Sequence, residues 1–446
     1  MHSNSAPDVS AEQSPHSSSN ILSDMSRILF SAAVLLILMM ITGCEQNLQQ
    51  PDYQFTLQNP ADSGSRFPHL YQDDEGVVYM SWISNIDESI NVLRYSTFSD
   101  SLWTAPQTIR IDTDFFVNWA DFPSVIGSDG EVLASHWLED DPRGRLAYNI
   151  NISFPNGEDS PWTEPVRLHQ DTTATEHGFV SMEPVGEDRI LAIWLDGRET
   201  AGRADDAYSD TSMSMTLRSA EMNPEGEIFR PQVIDATVCD CCQTDIARSG
   251  NDYIAVYRGR TADEVRDIKF TRYSPETGEW TAPETLYDDG WQVAGCPVNG
   301  PAITADGETV AVAWFAAADD QSVVKLIISE DGGATFNDPI IVAGSDSEPL
   351  GRTDVVIGPD GSIYTSWLQK GEEDNAYVVA RKLDSDGNFF EGRVVGITSA
   401  SSSSGFPQME ITGNSLILAW TQTDPLLRVR TALVELDALE PEEPES

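Results

Sequence analysis

Lysine is nearly missing from this chain: of 26 basic residues only four are lysines, at positions 269, 325, 370 and 382, against 73 acidic residues. The net charge of −47 repels phosphate backbones and anionic lipid headgroups, which excludes a nucleic-acid binder and an electrostatic membrane binder. Apolar stretches are short as well. The run from Ile28 to Ile41 has about 14 residues, fewer than the roughly 20 that a helix needs to cross a bilayer. Cysteine is sparse, five in all, and four of these fall between positions 239 and 296. Nothing else is in short supply: 446 residues with 40% hydrophobic content can bury a large core, and 31 Gly with 25 Pro suit many turns.

In place of long runs the chain has one phrase spoken seven times. Phe67-Pro68-His69-Leu70 leads to Trp82, fourteen positions past the proline, and Phe122-Pro123-Ser124-Val125 leads likewise to Trp137. Further copies end at Trp194, Tyr257, Trp314, Trp367 and Trp420, at intervals of 55, 57, 63, 57, 53 and 53 residues. Each copy passes a polar turn, such as Asp73-Asp74-Glu75-Gly76 or Pro359-Asp360-Gly361, and then alternates apolar and polar residues into the aromatic position, as a hairpin does. A third alternating segment (90–96 in the first copy) and a fourth (107–111) come after it. Four antiparallel strands per unit predict an all-β chain wound into a β-propeller of seven four-stranded blades. Separate small domains are excluded, since roughly 55 residues bury too little to stand alone. The last unit has three strands, near 408–411, 416–420 and 428–436, so Tyr53-Gln54-Phe55-Thr56-Leu57 is expected to complete that blade and close the ring.

Residues 1–24 read as a disordered extension or an upstream start site. Residues 25–43 read as a secretory signal, with one cation at Arg27 and the apolar run after it. Ile41-Thr42-Gly43-Cys44 resembles the lipobox of bacterial lipoproteins, which implies cleavage before Cys44, lipidation of its thiol and a place in the cell envelope. Glu45 after the cysteine fits sorting to the outer membrane, and the mature chain keeps a net charge of about −45. Residues 44–52 then form a tether, 53–437 the propeller and 438–446 an acidic tail.

Ser329-Glu330-Asp331-Gly332-Gly333-Ala334-Thr335-Phe336 resembles the Asp box of sialidase-type propeller blades, a turn between third and fourth strands on the face opposite the usual ligand site. Its Asp and Ser are expected to bond their own turn, and its aromatic residue to pack between blades. Ser65-Arg66-Phe67-Pro68 resembles the first-blade motif of sialidases, whose arginine grips a substrate carboxylate. That resemblance implies six blades as the alternative count. It also implies an arginine triad of Arg66, Arg352 and either Arg258 or Arg260, an acid at Asp87 and a nucleophilic tyrosine for which Tyr377 is the nearest candidate.

In a propeller the starts of the inner strands and the loops after the second strands converge at one mouth. Arg66, Asp121, Glu176, His177, Asn299 and Arg352 belong to the first set, and Asp87, Asp196, Arg198, Arg258, Arg260 and Arg266 to the second. The resulting funnel is expected to be polar and to bind an anionic ligand through Arg66, Arg258, Arg260, Arg352, Asn299 and His177. Cys239, Cys241, Cys242 and Cys296 sit at neighbouring mouth positions. They read as disulfides, with Cys241 or Cys242 to Cys296 the easiest pairing, or alternatively as a thiolate site for Cu(I) or Zn aided by His177. No other cofactor is indicated. Two function classes stay open: a lipid-anchored, sialidase-like protein binding or hydrolysing an anionic glycan, and a non-catalytic lipoprotein that holds a ligand, a metal or a partner.

Overall fold

In the computed structural model the described residues are 59–439, apart from 88, 100, 145, 158–160, 187 and 204–210. The second strand of each unit is apolar on both faces. Val78–Asn85 is buried along seven of its eight residues, and Thr309–Ala316 (TVAVAWFA) along seven of eight. Such strands lie between two neighbouring sheets, so a continuous apolar run replaces strict alternation. The seven repeated aromatics Trp82, Trp137, Trp194, Tyr257, Trp314, Trp367 and Trp420 are all on these strands and all at most 7% exposed.

The strands form seven antiparallel sheets, each a meander from an inner to an outer strand. Their inner strands are Ser65–Gln72, Ser124–Ser128, His177–Val185, Asp245–Ser249, Ala302–Asp306, Pro349–Ile357 and Gln408–Thr412. Each inner strand touches the next, and the seventh touches the first, so the chain is a seven-bladed β-propeller. The six-bladed alternative is thereby corrected: the seventh repeat is a full member of the ring.

Blade 7 contributes three strands among the described residues. The expected closing strand 53–57 lies outside those residues. The chain just after it runs along the outer strand Arg428–Glu435: Ser63 bridges Arg428, and the Gly64 N–H donates to the Leu427 carbonyl at 2.9 Å. At the other end, the packed chain continues past the expected limit at 437. Leu436–Leu439 forms a short 3₁₀ turn that buries Leu436 and Leu439 against blades 6 and 7.

The turn at 329–336, which resembles an Asp box, has the bonding its residues imply. Asp331 accepts the Thr335 N–H at 2.8 Å and the Ser329 hydroxyl at 2.7 Å, while Ser329 Oγ accepts the Gly333 N–H at 2.9 Å. Phe336 meets Phe270 of blade 4 edge-on, ring centroids 5.2 Å apart.

Candidate functional site

Three inner strands open at the mouth with the same irregularity. Their pairing to the second strand slips between Arg66 and His69, between Gly178 and Ser181, and between Gly351 and Asp354. The first residue of each bulge, Phe67, Phe179 and Arg352, has a left-handed backbone with φ of 56°, 53° and 55°. Such strain in non-glycine residues clusters at functional surfaces. Arg352 is therefore the structural equivalent of Phe67, and Arg66 of Gly351; the expected pairing of the two arginines is off by one residue. Gly351 is required where it stands, because a Cβ there would lie 2.2 Å from Asn299 Oδ1.

Arg352 and Arg66 border one corner of the mouth. The Arg352 guanidinium donates to Ser404 Oγ at 2.5 Å and to the Gly405 carbonyl at 2.8 Å, and it lies 5.0 Å from the Trp119 ring and 5.8 Å from that of Phe406. Burial alone pushes its pKa down to about 10. Gly405 packs on Phe67, and the Arg66 guanidinium sits 5.6 Å from the Phe67 ring. Arg66 is half-buried, its Nε has no partner, and no ion pair holds it among the described residues. In a chain this acidic, two guanidiniums without carboxylate partners leave a local excess of positive charge.

The mouth end of the axis is aromatic where a polar funnel was expected. Trp119 stacks on Phe406 at 6.0 Å, Phe122 tilts against Phe406 at 5.9 Å, and Gln243 bridges the Ala120 carbonyl to the Gly300 N–H. Segments preceding blades 2, 4, 5 and 7 thus meet across the ring. Trp119 and Phe122 stay half-buried, leaving a wettable aromatic surface at the mouth.

Several expected site residues are structural. Arg258 is 1% exposed and spends its guanidinium on three carbonyls, those of Asn299 (2.7 Å), Arg266 (2.6 Å) and Phe315 (2.7 Å), so it staples blade 4 to blade 5. Arg260 is clamped by Glu264 at 3.0 and 2.6 Å and neighbours Asp240 at 3.4 Å. Asn299 accepts the Arg352 N–H at 2.7 Å and so ties blade 6 to the entry of blade 5. None of the three offers a free group to a ligand. Asp87 is exposed and caps its own turn by accepting from Ser89 and Ile90; those bonds lower its pKa, which unsuits it as a proton donor. Tyr377 lies on the third strand of blade 6, Asn375–Leu383, packed against the core away from the axis. The acid and nucleophile implied by the sialidase resemblance are therefore not assembled at the mouth. The cysteines pair as Cys239–Cys242 and Cys241–Cys296, with Cα separations of 5.8 and 6.0 Å.

His177 faces no open funnel. It is fully buried at the start of the blade 3 inner strand, stacked on His169 at 3.8 Å, and its Nε2 lies 3.0 Å from Asp171 Oδ2 and 3.8 Å from Asp196 Oδ1. Asp196 is buried, which raises its pKa, but the hydrogen bonds from Arg198 and Trp194 and the Arg198 charge prevail and bring it to about 2. Beside this group, burial and the charge of Asp240 push Glu176 up to about 7. Sequence reasoning missed His169 and Asp171, although H-x-D-x₅-H holds two of the six histidines within nine positions.

The axial channel below the aromatic layer was missed entirely. A cavity of about 440 Å³ is lined by Glu183, Asp245, Asp354 and Glu410, and by the turn at Asp73–Asp74. Asp245 accepts the Ile303 N–H at 2.8 Å and Asp354 the Met409 N–H at 2.7 Å, each bonding the next blade. Burial pushes these two carboxyls up to about 7; burial, then repulsion from Asp245 for Glu183 and from Asp354 and Asp245 for Glu410, pushes those two up to about 8.

No protein-family model and no curated protein matches the sequence. Among solved structures the similar ones include sialidases, glycoside hydrolases and a polysaccharide lyase. An ulvan lyase solved with a GlcA-containing fragment has a TM-score of 0.52 at 12% identity, over 85% of this chain and 96% of that one. A sialidase from Streptococcus pneumoniae has a TM-score of 0.45 at 10% identity, over 89% and 73% of the two chains. An α-L-arabinanase from Penicillium chrysogenum, solved with arabinobiose, has a TM-score of 0.42 at 10% identity, over 87% and 97%. At such identities the likeness is one of fold.

Proposed function

We propose that this protein is an envelope-anchored propeller that binds an anionic glycan at the corner formed by Arg66, Trp119 and Phe122. The observation that carries this reading is Arg66: a half-buried arginine with an unpartnered Nε, over the buried Phe67 ring, at a mouth that also carries the half-buried Trp119 and Phe122, in a chain with 47 excess negative charges. A free guanidinium accepts a carboxylate or sulfate in a bidentate fork, and an aromatic face receives the apolar side of a sugar ring. Arg352, over Trp119, adds positive charge from beneath. The ulvan lyase binds a uronate-containing chain, which is the kind of ligand such a corner fits, although the reading rests on Arg66 and not on that protein.

The binding reading is preferred to hydrolysis because Asp87 and Tyr377 stand away from this corner in roles of their own. Anchoring rests on the lipobox ending in Cys44. The test is titration calorimetry of the purified chain with uronate-terminated, sialate-terminated and neutral oligosaccharides. An acidic glycan is expected to bind, with affinity that falls as salt rises, and Arg66→Gln is expected to cost about 1.5–3 kcal/mol. Equal binding of neutral and acidic sugars would refute the proposal. Release of fluorophore from a sialoside substrate would restore the hydrolytic alternative.

A further inference from the structure

We infer that His169, Asp171 and His177 form a site for one divalent transition-metal ion, zinc by preference, in the connection between blades 2 and 3. One ring nitrogen of each histidine and one carboxylate oxygen of Asp171 all lie within 4.8 Å of one another. The contact between His177 Nε2 and Asp171 Oδ2, at 3.0 Å, matches the spacing of about 3.0–3.4 Å between adjacent donors around an ion with bonds of about 2.1 Å.

The hydrogen bonds point to a cation. His177 Nδ1 faces two backbone carbonyls, Thr175 at 3.1 Å and Tyr148 at 3.3 Å, so this nitrogen carries the proton. Nε2 of the neutral ring then aims a lone pair at two carboxylates, those of Asp171 and Asp196. Only a proton or a metal ion makes that arrangement favourable. A carbonyl bond on the far nitrogen is also how a metal-ligating histidine is oriented. His169 distinguishes the two cases. It is 2% exposed, and neither of its ring nitrogens has a partner. Protonating His177 leaves both of those nitrogens buried and unsatisfied, whereas a metal takes one of them.

The two rings are parallel within 3°, so they do not both aim at one point as they stand. Ligation tilts His169, which breaks no hydrogen bond in moving. Two imidazoles and a carboxylate are the borderline donor set that zinc accepts, with water in the fourth position. Asp196, held by Arg198 and Trp194, contributes negative charge from outside the ligand set. The ion would fasten the segment carrying His169 and Asp171 to the start of the blade 3 inner strand.

The test uses untagged full chain, stripped with chelator and with its disulfides intact, titrated with zinc chloride alone. One zinc per chain is expected by elemental analysis, together with a rise in melting temperature on saturation. His169→Ala and Asp171→Asn are each expected to weaken binding by roughly a hundredfold or more. Cobalt substitution of the unmutated chain gives a readout independent of any folding defect, and is expected to show visible bands without sulfur-to-metal charge transfer. No retained metal, undiminished binding by His169→Ala, or a charge-transfer band placing the ion on the cysteines would each overturn the inference.

Discussion

Replacing Glu410 by glutamine should make the protein more stable, increasingly so as the pH rises above about 5 and fully so above about 8. Glu410 faces the axial channel and accepts a bond from the Gln72 backbone N–H; its carboxyl is pushed from an ordinary 4.5 up to about 8 by burial, then by Asp354 and Asp245. A group whose folded pKa lies above its unfolded one favours the fold while protonated. Its contribution is lost as the pH climbs from about 4 to about 8. A rise of this size corresponds to about 5 kcal/mol between protonation states, and water and cations drawn into the channel reduce the realised penalty to about 1–2 kcal/mol. Glutamine keeps an acceptor for Gln72 and cannot ionise. Melting followed by calorimetry should therefore show a gain of about 1–2.5 °C for Glu410→Gln at pH 8.5 and less than about 0.5 °C at pH 5. A gain of equal size at both values, or a loss at pH 8.5, would refute the account of the channel as a set of crowded carboxyls.

The same contacts set further outcomes. Arg258→Ala should destabilise by about 3 kcal/mol or more, because three buried carbonyls lose their donors, and lysine should not rescue it because a point charge cannot span them; thermal melts of both variants decide this. Disulfide mapping should recover Cys239–Cys242 and Cys241–Cys296, and replacing the second pair by serine should cost about 4 kcal/mol, since it closes the longer loop, 55 residues in sequence separation. Asp331→Ala should lose about 1–2 kcal/mol of stability while glycan affinity stays unchanged, because its turn joins the third and fourth strands of blade 5, at the end opposite the mouth. Cys44→Ser should abolish lipidation and release the protein from the membrane fraction.

The ring was legible in the sequence because one tryptophan or tyrosine per blade must fill the same wedge, and a constant demand leaves a constant spacing. Closure was legible only in part, through the missing strand of the last repeat. The site was harder for two physical reasons. Contacts that occupy an arginine come from the next blade: nothing near Arg258 in the chain announces that Asn299 and Phe315 will hold it. And the two arginines stand one place apart in their repeats, Arg66 sixteen positions before Trp82 and Arg352 fifteen before Trp367, a difference that decides which way a side chain faces in a strand. The H-x-D-x₅-H spacing was in plain view, yet it lies in an irregular connection where no strand pattern says which side chains turn inward.

The central claim is that Arg66 is free to take an anion at the mouth. Its most direct test is the affinity of the full chain for one uronate-terminated oligosaccharide, measured by calorimetry against Arg66→Gln at low salt. The account predicts measurable binding by the unmutated chain and a loss of roughly tenfold to a hundredfold in the variant. Identical affinities, or no binding by either, would contradict it.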